Sequence, residues 1–392
     1  MDSYKSYKNK NQTRNIYSLL FINLFINLGV DIHLPSMLII QKDLNLSIFE
    51  VQQIFIVYLF GAAISRLVFG LILNHISTKK LLIFSLVIQT ISQIFCIFAS
   101  NLITLCICRL IQSIGAGISV IILYFIAKNS NDKYRIGYLN ILESTYLLAF
   151  FIAPIIGVYF LTQYGWRYNF LFIAIAFFVT MIFIWYFFSE SENIKKDDIK
   201  FFQNISIKHF ICKNTINNGV LSGFIAAVYL VLVLNSPNIL MQIYHLSEVH
   251  YTAIQSLSIT LNILATLFVN SYLGKSKIIL LIGIFIFLLL LLISISIIMK
   301  PFLICIIIAL FLINLSIPFL LSSYTSNALG DEERYYGYKA STVSILRTII
   351  NAISLVMVNS FSMGILNNTF TTVVILCAIS LVIIAKNIMQ YK

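Results

Sequence analysis

The sequence predicts an all-α membrane protein of twelve transmembrane helices arranged as two six-helix halves. Three observations predict it. Of 392 residues, 60% are hydrophobic and only 10% charged, whereas a soluble chain carries about a quarter charged residues. Twelve apolar stretches follow one another, each long enough for the roughly 20 residues that cross a hydrocarbon core as a helix. The lysines and arginines concentrate in alternate connections, the signature of a fixed orientation in a bilayer.

The stretches lie near residues 16–37, 52–73, 80–98, 102–127, 137–161, 168–188, 216–240, 250–272, 278–299, 301–323, 339–361 and 368–387. The first includes INLFINLGVDIHLPSM; it lacks a small-residue cleavage site and more spans follow, so it reads as a span and not a leader. The second carries Tyr58 and Arg66, reaches Gly70, and leads into a polar turn with Lys79 and Lys80. The fourth, LCICRLIQSIGAGISVIILYFIA, holds Arg109, Gln112, Gly115 and Gly117. The fifth holds Glu143, Pro154 and Gly157 and ends at Trp166 and Arg167, which suit an interfacial anchor. Pro318 lies in the tenth and Arg347 in the eleventh.

Residues 189–214, SESENIKKDDIKFFQNISIKHFICKN, form the longest polar stretch. They divide the chain into a half over 1–188, a cytoplasmic linker over 189–215 and a half over 216–392. The end of the linker, FFQNISIKHFI, is either solvated or laid on the inner membrane surface. A 6 + 6 layout suggests repeated halves with a site between them at mid-membrane, the plan of many secondary transporters.

With the N-terminus in the cytoplasm, 20 of the 26 lysines and arginines fall on the inner side. Lys42, Arg167 and Lys300 fall outside. Arg66, Arg109 and Arg347 fall within spans. The formal charge of +12 is then a topological signature and calls for no nucleic-acid partner. The six cysteines show no CxxC pair and read as small buried residues, without a disulfide or metal.

Enzyme and motor chemistry find no footing. Gly274-Lys275-Ser276 looks like the end of a phosphate loop, but Val269 stands where the loop needs glycine. There is no HExxH, and the five histidines are scattered. No cofactor is expected. Uphill movement would draw on an ion gradient, which directs attention to ionisable groups inside the membrane.

Those groups are Asp31 and His33 in the first span, Arg66, Arg109, Glu143 and Arg347. An arginine at the centre of a membrane helix costs roughly 2.5 to 3.5 kcal/mol on insertion scales. Such charges are normally paired or face water, either as structural pairs or as part of a transport path. Ala153 and Gly157, one turn apart around Pro154, suit a close and slightly bent helix contact between the halves.

Several of these residues carry a family resemblance. DIHLPSM (31–37) resembles the acidic D-x-x-L-P signature of the Bcr/CflA, or bicyclomycin-resistance, type of drug:proton antiporter in the major facilitator superfamily. RLIQSIGAG (109–117) resembles the family's fourth-span motif B, and FFIAPIIGVYFLTQYGWR (150–167) its antiporter motif C region. GLILNHISTKK (70–80) occupies the place of its motif A. The chain departs from the pattern at Asn74, at Ser77-Thr78 before the lysines, at Ser113 and at Ala153.

The resemblance implies a proton-coupled exporter of small organic molecules working by alternating access. It assigns proton coupling to Asp31, with Arg109 as modulator and Glu143 as a second acid. It assigns gating and packing to Gly70, Lys79, Lys80, Gly115, Gly117, Pro154 and Gly157. Arg66, Arg347, Tyr58 and Gln112 are substrate-cavity candidates. Three arginines against two acids also suit an anionic substrate, such as a polycarboxylate metabolite or citrate-type siderophore. Partners are then a small molecule, protons and lipid, with a monomer in the inner membrane of a bacterium and both ends cytoplasmic.

Overall fold

The computed structural model describes residues 2–33, 36–46, 48–73, 76–130, 132–188, 212–271, 276–330, 335–361 and 363–390. Their regular structure is helical throughout: α1 (Asp2–Asp31), α2 (Met37–Asp43), α3 (Ile48–Ile72), α4 (Thr78–Ile97), α5 (Leu102–Ile114), α6 (Ile118–Asn129), α7 (Asp132–Tyr164), α8 (Arg167–Phe187), α9 (Lys213–Pro237), α10 (Glu248–Ser271), α11 (Ser276–Met299), α12 (Leu303–Leu329), α13 (Tyr336–Ser360) and α14 (Ile365–Gln390). Ten segments are long and apolar enough to cross a membrane, with α5 and α6 forming one of them; Arg14–Val30 and Val57–Ile72 are shorter apolar helices. Together they make the twelve spans. Helices suit this solvent because each satisfies its own backbone polar groups.

The described residues cluster into two compact units. One lies within Met1–Asn129, Thr145–Phe210 and Glu332–Ser344, the other within Ser130–Ser144, Ile211–Asp331 and Ile345–Lys392. Helices α7 and α13 therefore contribute a part to each. In the first unit α4 packs on α8 and α5, α3 on α5, and α1 on α8 and α6. In the second α11 packs on α14 and α12, α10 on α12, and α9 on α14 and α12. Counted by span within each set of six, the two schemes are the same.

Three spans differ from uninterrupted helices. The first apolar stretch, 16–37, does not continue as one helix: α1 stops at Asp31, and α2 begins at Met37. Proline disfavours helix in the residue before it and removes a donor, and Pro35 stands in that gap, outside the described residues together with Leu34. The fourth span changes to a 3-10 turn over Gly115–Gly117 before α6. Glycine is the weakest helix former after proline. The seventh span passes from α9 into a π turn, Asn238–Ile243, after Pro237. Pro154, by contrast, sits inside α7, which runs past it to Tyr164.

Local chemistry fixes the ends that matter for the site. Asn101 and Thr104 form a reciprocal capping box that starts α5, so two orphan donors of the first turn are satisfied. The buried face of α5 is Leu105, Cys108, Arg109, Gln112 and Ser113, the spacing of one helical face. Arg167 donates to the carbonyls of Ile97 and Ala99 and lies 4.1 Å from the centre of the Trp166 ring. Trp166 Nε1 donates to Asp43 at 2.9 Å. The Gly-Trp-Arg stretch thus ties the α4–α5 turn and α2 to the start of α8. All six cysteines are free thiols.

Candidate functional site: two arginine centres within the spans

In the second unit, Arg347 on α13 meets Glu143 on α7 at 2.7 Å. Its Nε also donates to Ser222 of α9 at 3.3 Å, and Nη2 donates to Thr325 of α12. Four helices thus hold one guanidinium. The two charged side chains are 17% and 15% exposed, so solvent screens them little. A charge pair in such surroundings recovers its desolvation cost only with good geometry and further hydrogen bonds, which the two hydroxyls supply.

Beside this pair runs a ladder of small polar groups. Asn140 and Ser144 are one turn apart on α7, and Asn262, Thr266 and Asn270 are one turn apart on α10. Ser144 lies 3.0 Å from Asn262 Oδ1 and 3.1 Å from Thr266 Oγ1, and Asn140 donates to Asn270 at 3.3 Å. Asn262 donates in turn to the Asn314 carbonyl. Side-chain hydrogen bonds of this kind join helices where lipid offers no partner.

In the first unit, Arg109 is 3% exposed and donates from Nη1 to Gln112 Oε1 at 2.7 Å. Its guanidinium lies 5.3 Å from the centre of the Phe170 ring. Among the described residues no carboxylate is within ion-pair distance of it. The first arginine centre is therefore held by an amide and a ring face, the second by an acid and two hydroxyls.

The remaining sequence candidates fall as follows. The Asp31 side chain lies outside the described residues, as do Asn74 and linker residues 189–211. Glu143 takes Arg347, and not Arg109, as its partner. Arg66 donates to Ser119 at 3.2 Å. Tyr58 packs with Ala62 and Ala116. Lys79 donates to the Trp185 carbonyl at 2.8 Å, a cation on the last turn of α8, while Lys80 is exposed at the start of α4. Pro154 is exposed.

The glycines mark close approaches. A Cβ at Gly70 would lie 2.2 Å from Ser341 Cβ, at Gly115 2.4 Å from Gln89 Cγ, and at Gly117 2.3 Å from the Phe69 ring. At Gly157 it would lie 2.3 Å from the Ile32 carbonyl oxygen. This last finding corrects the expected contact between halves: Gly157 packs on Ile32 inside the first unit, where Asn169 also reaches the Gly157 carbonyl and Ser36.

Ser222, Thr325 and Phe170 were not singled out by the sequence. Their signal was weak, since serines, threonines and phenylalanines are common in these spans. The long-range pairing of Glu143 with Arg347 left no local trace at all.

The sequence profile of the Major Facilitator Superfamily matches residues 19–358. The chain belongs to the Major Facilitator Superfamily. Within that superfamily it is similar to the multidrug resistance protein MdtL of Klebsiella pneumoniae (strain 342), 28% identical over 140 residues, 36% of each chain. It is also similar to multidrug resistance protein D of Escherichia coli (strain K12), 23% identical over 166 residues, 41% of this chain and 42% of the other. The matches thus span between 36% and 42% of those relatives' length. Two solved superfamily structures share the fold. The human organic anion transporter MFSD10 (TETRAN) aligns with a TM-score of 0.67 at 13% identity, covering 95% of this chain and 99% of that one. The proton:xylose symporter XylE aligns with a TM-score of 0.72 at 12% identity, covering 95% of each.

Proposed function

We propose that this superfamily member is a secondary transporter that exports small organic molecules by alternating access, driven by a proton gradient. The Glu143–Arg347 centre carries the reading. A carboxylate inside a span is costly and marks ion or substrate paths more often than architecture. Protonating Glu143 removes the charge that holds Arg347 and leaves the guanidinium to Ser222 and Thr325. The balance between the two arrangements is a switch that protons can bias.

The multidrug resistance relatives and the motif resemblance support export and the Bcr/CflA type. The same reading places the protein in the inner membrane of a bacterium with both ends cytoplasmic. It divides the chain into halves 1–188 and 216–392 around a cytoplasmic linker. Asp31 and Arg109 serve proton coupling in the first half, and no cofactor is required.

A second reading, transport of anionic metabolites or polycarboxylate siderophores, draws on Arg109, which has no carboxylate within ion-pair distance among the described residues. Arg347 supports it less, because Glu143 balances its charge.

Proteoliposomes with a trapped pH dye and an imposed proton gradient separate the readings. Lipophilic cations such as ethidium and tetraphenylphosphonium should release protons, and Glu143→Gln should abolish that release. Release driven only by citrate or other polycarboxylates would move the assignment to anions. Wild-type flux with no proton movement would remove proton coupling.

A further inference from the structure

We infer that Asn262 is a positioning residue for Glu143, holding the turn of α7 that carries this acid against α10 and α12. The inference rests on the reading of the Glu143–Arg347 centre as a proton switch.

Asn262 lies within α10 and is buried. Both ends of its amide are in use. Oδ1 accepts from Ser144 of α7 at 3.0 Å, and Nδ2 donates to the Asn314 carbonyl of α12 at 2.9 Å. The second bond fixes the orientation. A reversed amide would set its oxygen against the Asn314 carbonyl, two acceptors with no proton between them. Asn262 is therefore a bridge with a defined direction, from one residue of α7 to one residue of α12.

Its partner on α7 is the residue next to Glu143. Ser144 Oγ also lies 3.1 Å from Thr266 Oγ1, one turn further along α10, and 2.9 Å from the Asn140 carbonyl. One turn before Ser144, Asn140 donates to Asn270. An apolar cluster joins the same three helices: Ala265 and Val269 of α10 and Phe319 of α12 pack with Ile136 of α7 and Leu315 of α12.

Polar groups thus link α7 to α12 twice. One link is ionic, from Glu143 through Arg347 to Thr325. The other is neutral, from Ser144 through Asn262 to Asn314. Protonating Glu143 removes the first. The second contains only a hydroxyl, an amide and a carbonyl, none of which changes charge between neutral and acid pH. It keeps Glu143 in place while the proton is bound, so the same guanidinium meets the acid when the proton leaves. Apolar contacts are non-directional, and alone they would leave the acid free to turn away from Arg347.

A double-mutant cycle tests this without a substrate. Asn262→Leu removes both bonds at similar side-chain size. Its loss of melting temperature is measured in purified full-length protein, once with Glu143 and once in Glu143→Gln. A bridge that positions the acid should cost clearly more with Glu143 present, because residues of one network do not add. An equal or smaller loss with Glu143 present would make Asn262 a structural link alone and overturn the inference. Where Asn262→Leu does not fold, Ser144→Ala takes its place in the cycle under the same criterion. A second readout follows the acid itself. In infrared difference spectra after an acid pH jump, the Glu143 carboxyl band is assigned by its loss in Glu143→Gln. The band should shift in Asn262→Leu and Ser144→Ala and keep its wild-type position in Ser144→Thr, which retains the hydroxyl. An unmoved band in folded Asn262→Leu also overturns the inference. Failure of proton-driven flux in proteoliposomes would instead strike the transport reading, and the cycle still judges Asn262 separately.

Discussion

Two arginines within spans, Arg109 buried and Arg347 partly buried, solve one problem in different ways. Arg347 is matched charge for charge by Glu143 and finished by two hydroxyls from two further helices. Arg109 is matched by the neutral amide of Gln112 on its own helix and by the face of Phe170. The first solution couples four helices through one ion pair. The second keeps a cation locally solvated by its own helix and one ring. A membrane cation therefore does not reveal a nearby acid: how it is satisfied decides whether its removal or its partner's removal costs more.

That contrast can be broken most sharply at Glu143. Glu143→Ala strands a partly buried guanidinium held by three neighbouring helices, a loss bounded above by the about 3–5 kcal/mol of breaking a fully buried pair. Thermal unfolding of purified protein in detergent should show it, and the double variant Glu143→Leu with Arg347→Met should regain much of the loss. A double variant no better than the single would mean the pair contributes more than charge balance. In the other centre, Gln112→Leu removes a hydrogen bond to a charged group, worth about 1.5–3 kcal/mol. It should lower the melting temperature less than Glu143→Ala does; a larger drop would show that Arg109 depends on Gln112 as strongly as Arg347 does on its acid.

Gly157→Ala tests the frame behind Phe170. The added methyl group meets the Ile32 backbone at 2.3 Å, an overpacking that costs about 1–3 kcal/mol. The loss should be read as a lower melting temperature with a displaced end of α1. The smallest effect is expected at the ladder beside Arg347. Ser144→Ala deletes one interhelical hydroxyl, and such bonds average about 0.6 kcal/mol inside membranes. A drop as large as that of Glu143→Ala would make the ladder and the ion pair one cooperative unit.

Much of this was legible in the sequence because lipid leaves the chain few choices. Hydropathy located the twelve spans, and the pairing of Arg109 with Gln112 follows from their separation of three on one helix. Pairing across 204 residues, as between Glu143 and Arg347, does not follow from any local period. Nor does the choice of Ile32 as the neighbour of Gly157: a small residue announces a close approach but not who approaches. The end of the first span was misjudged where an apolar run leaves the helix, at Asp31, while the change of helix type at Gly115–Gly117 inside the fourth span left its ends where hydropathy put them. Hydropathy does not distinguish a helix from an apolar segment that has left the helix.

The 3-10 turn at Gly115–Gly117 changes the helical pitch inside the fourth span, between α5 and α6. The first part of that span, α5, starts at the Asn101–Thr104 cap and carries Arg109 against the Phe170 ring. Inserting or deleting one residue in α6 turns everything beyond it by about 100°. A length change beyond Gly117 leaves the stretch from Asn101 to Arg109 in register with Phe170, so it should be tolerated better there than between Asn101 and Arg109.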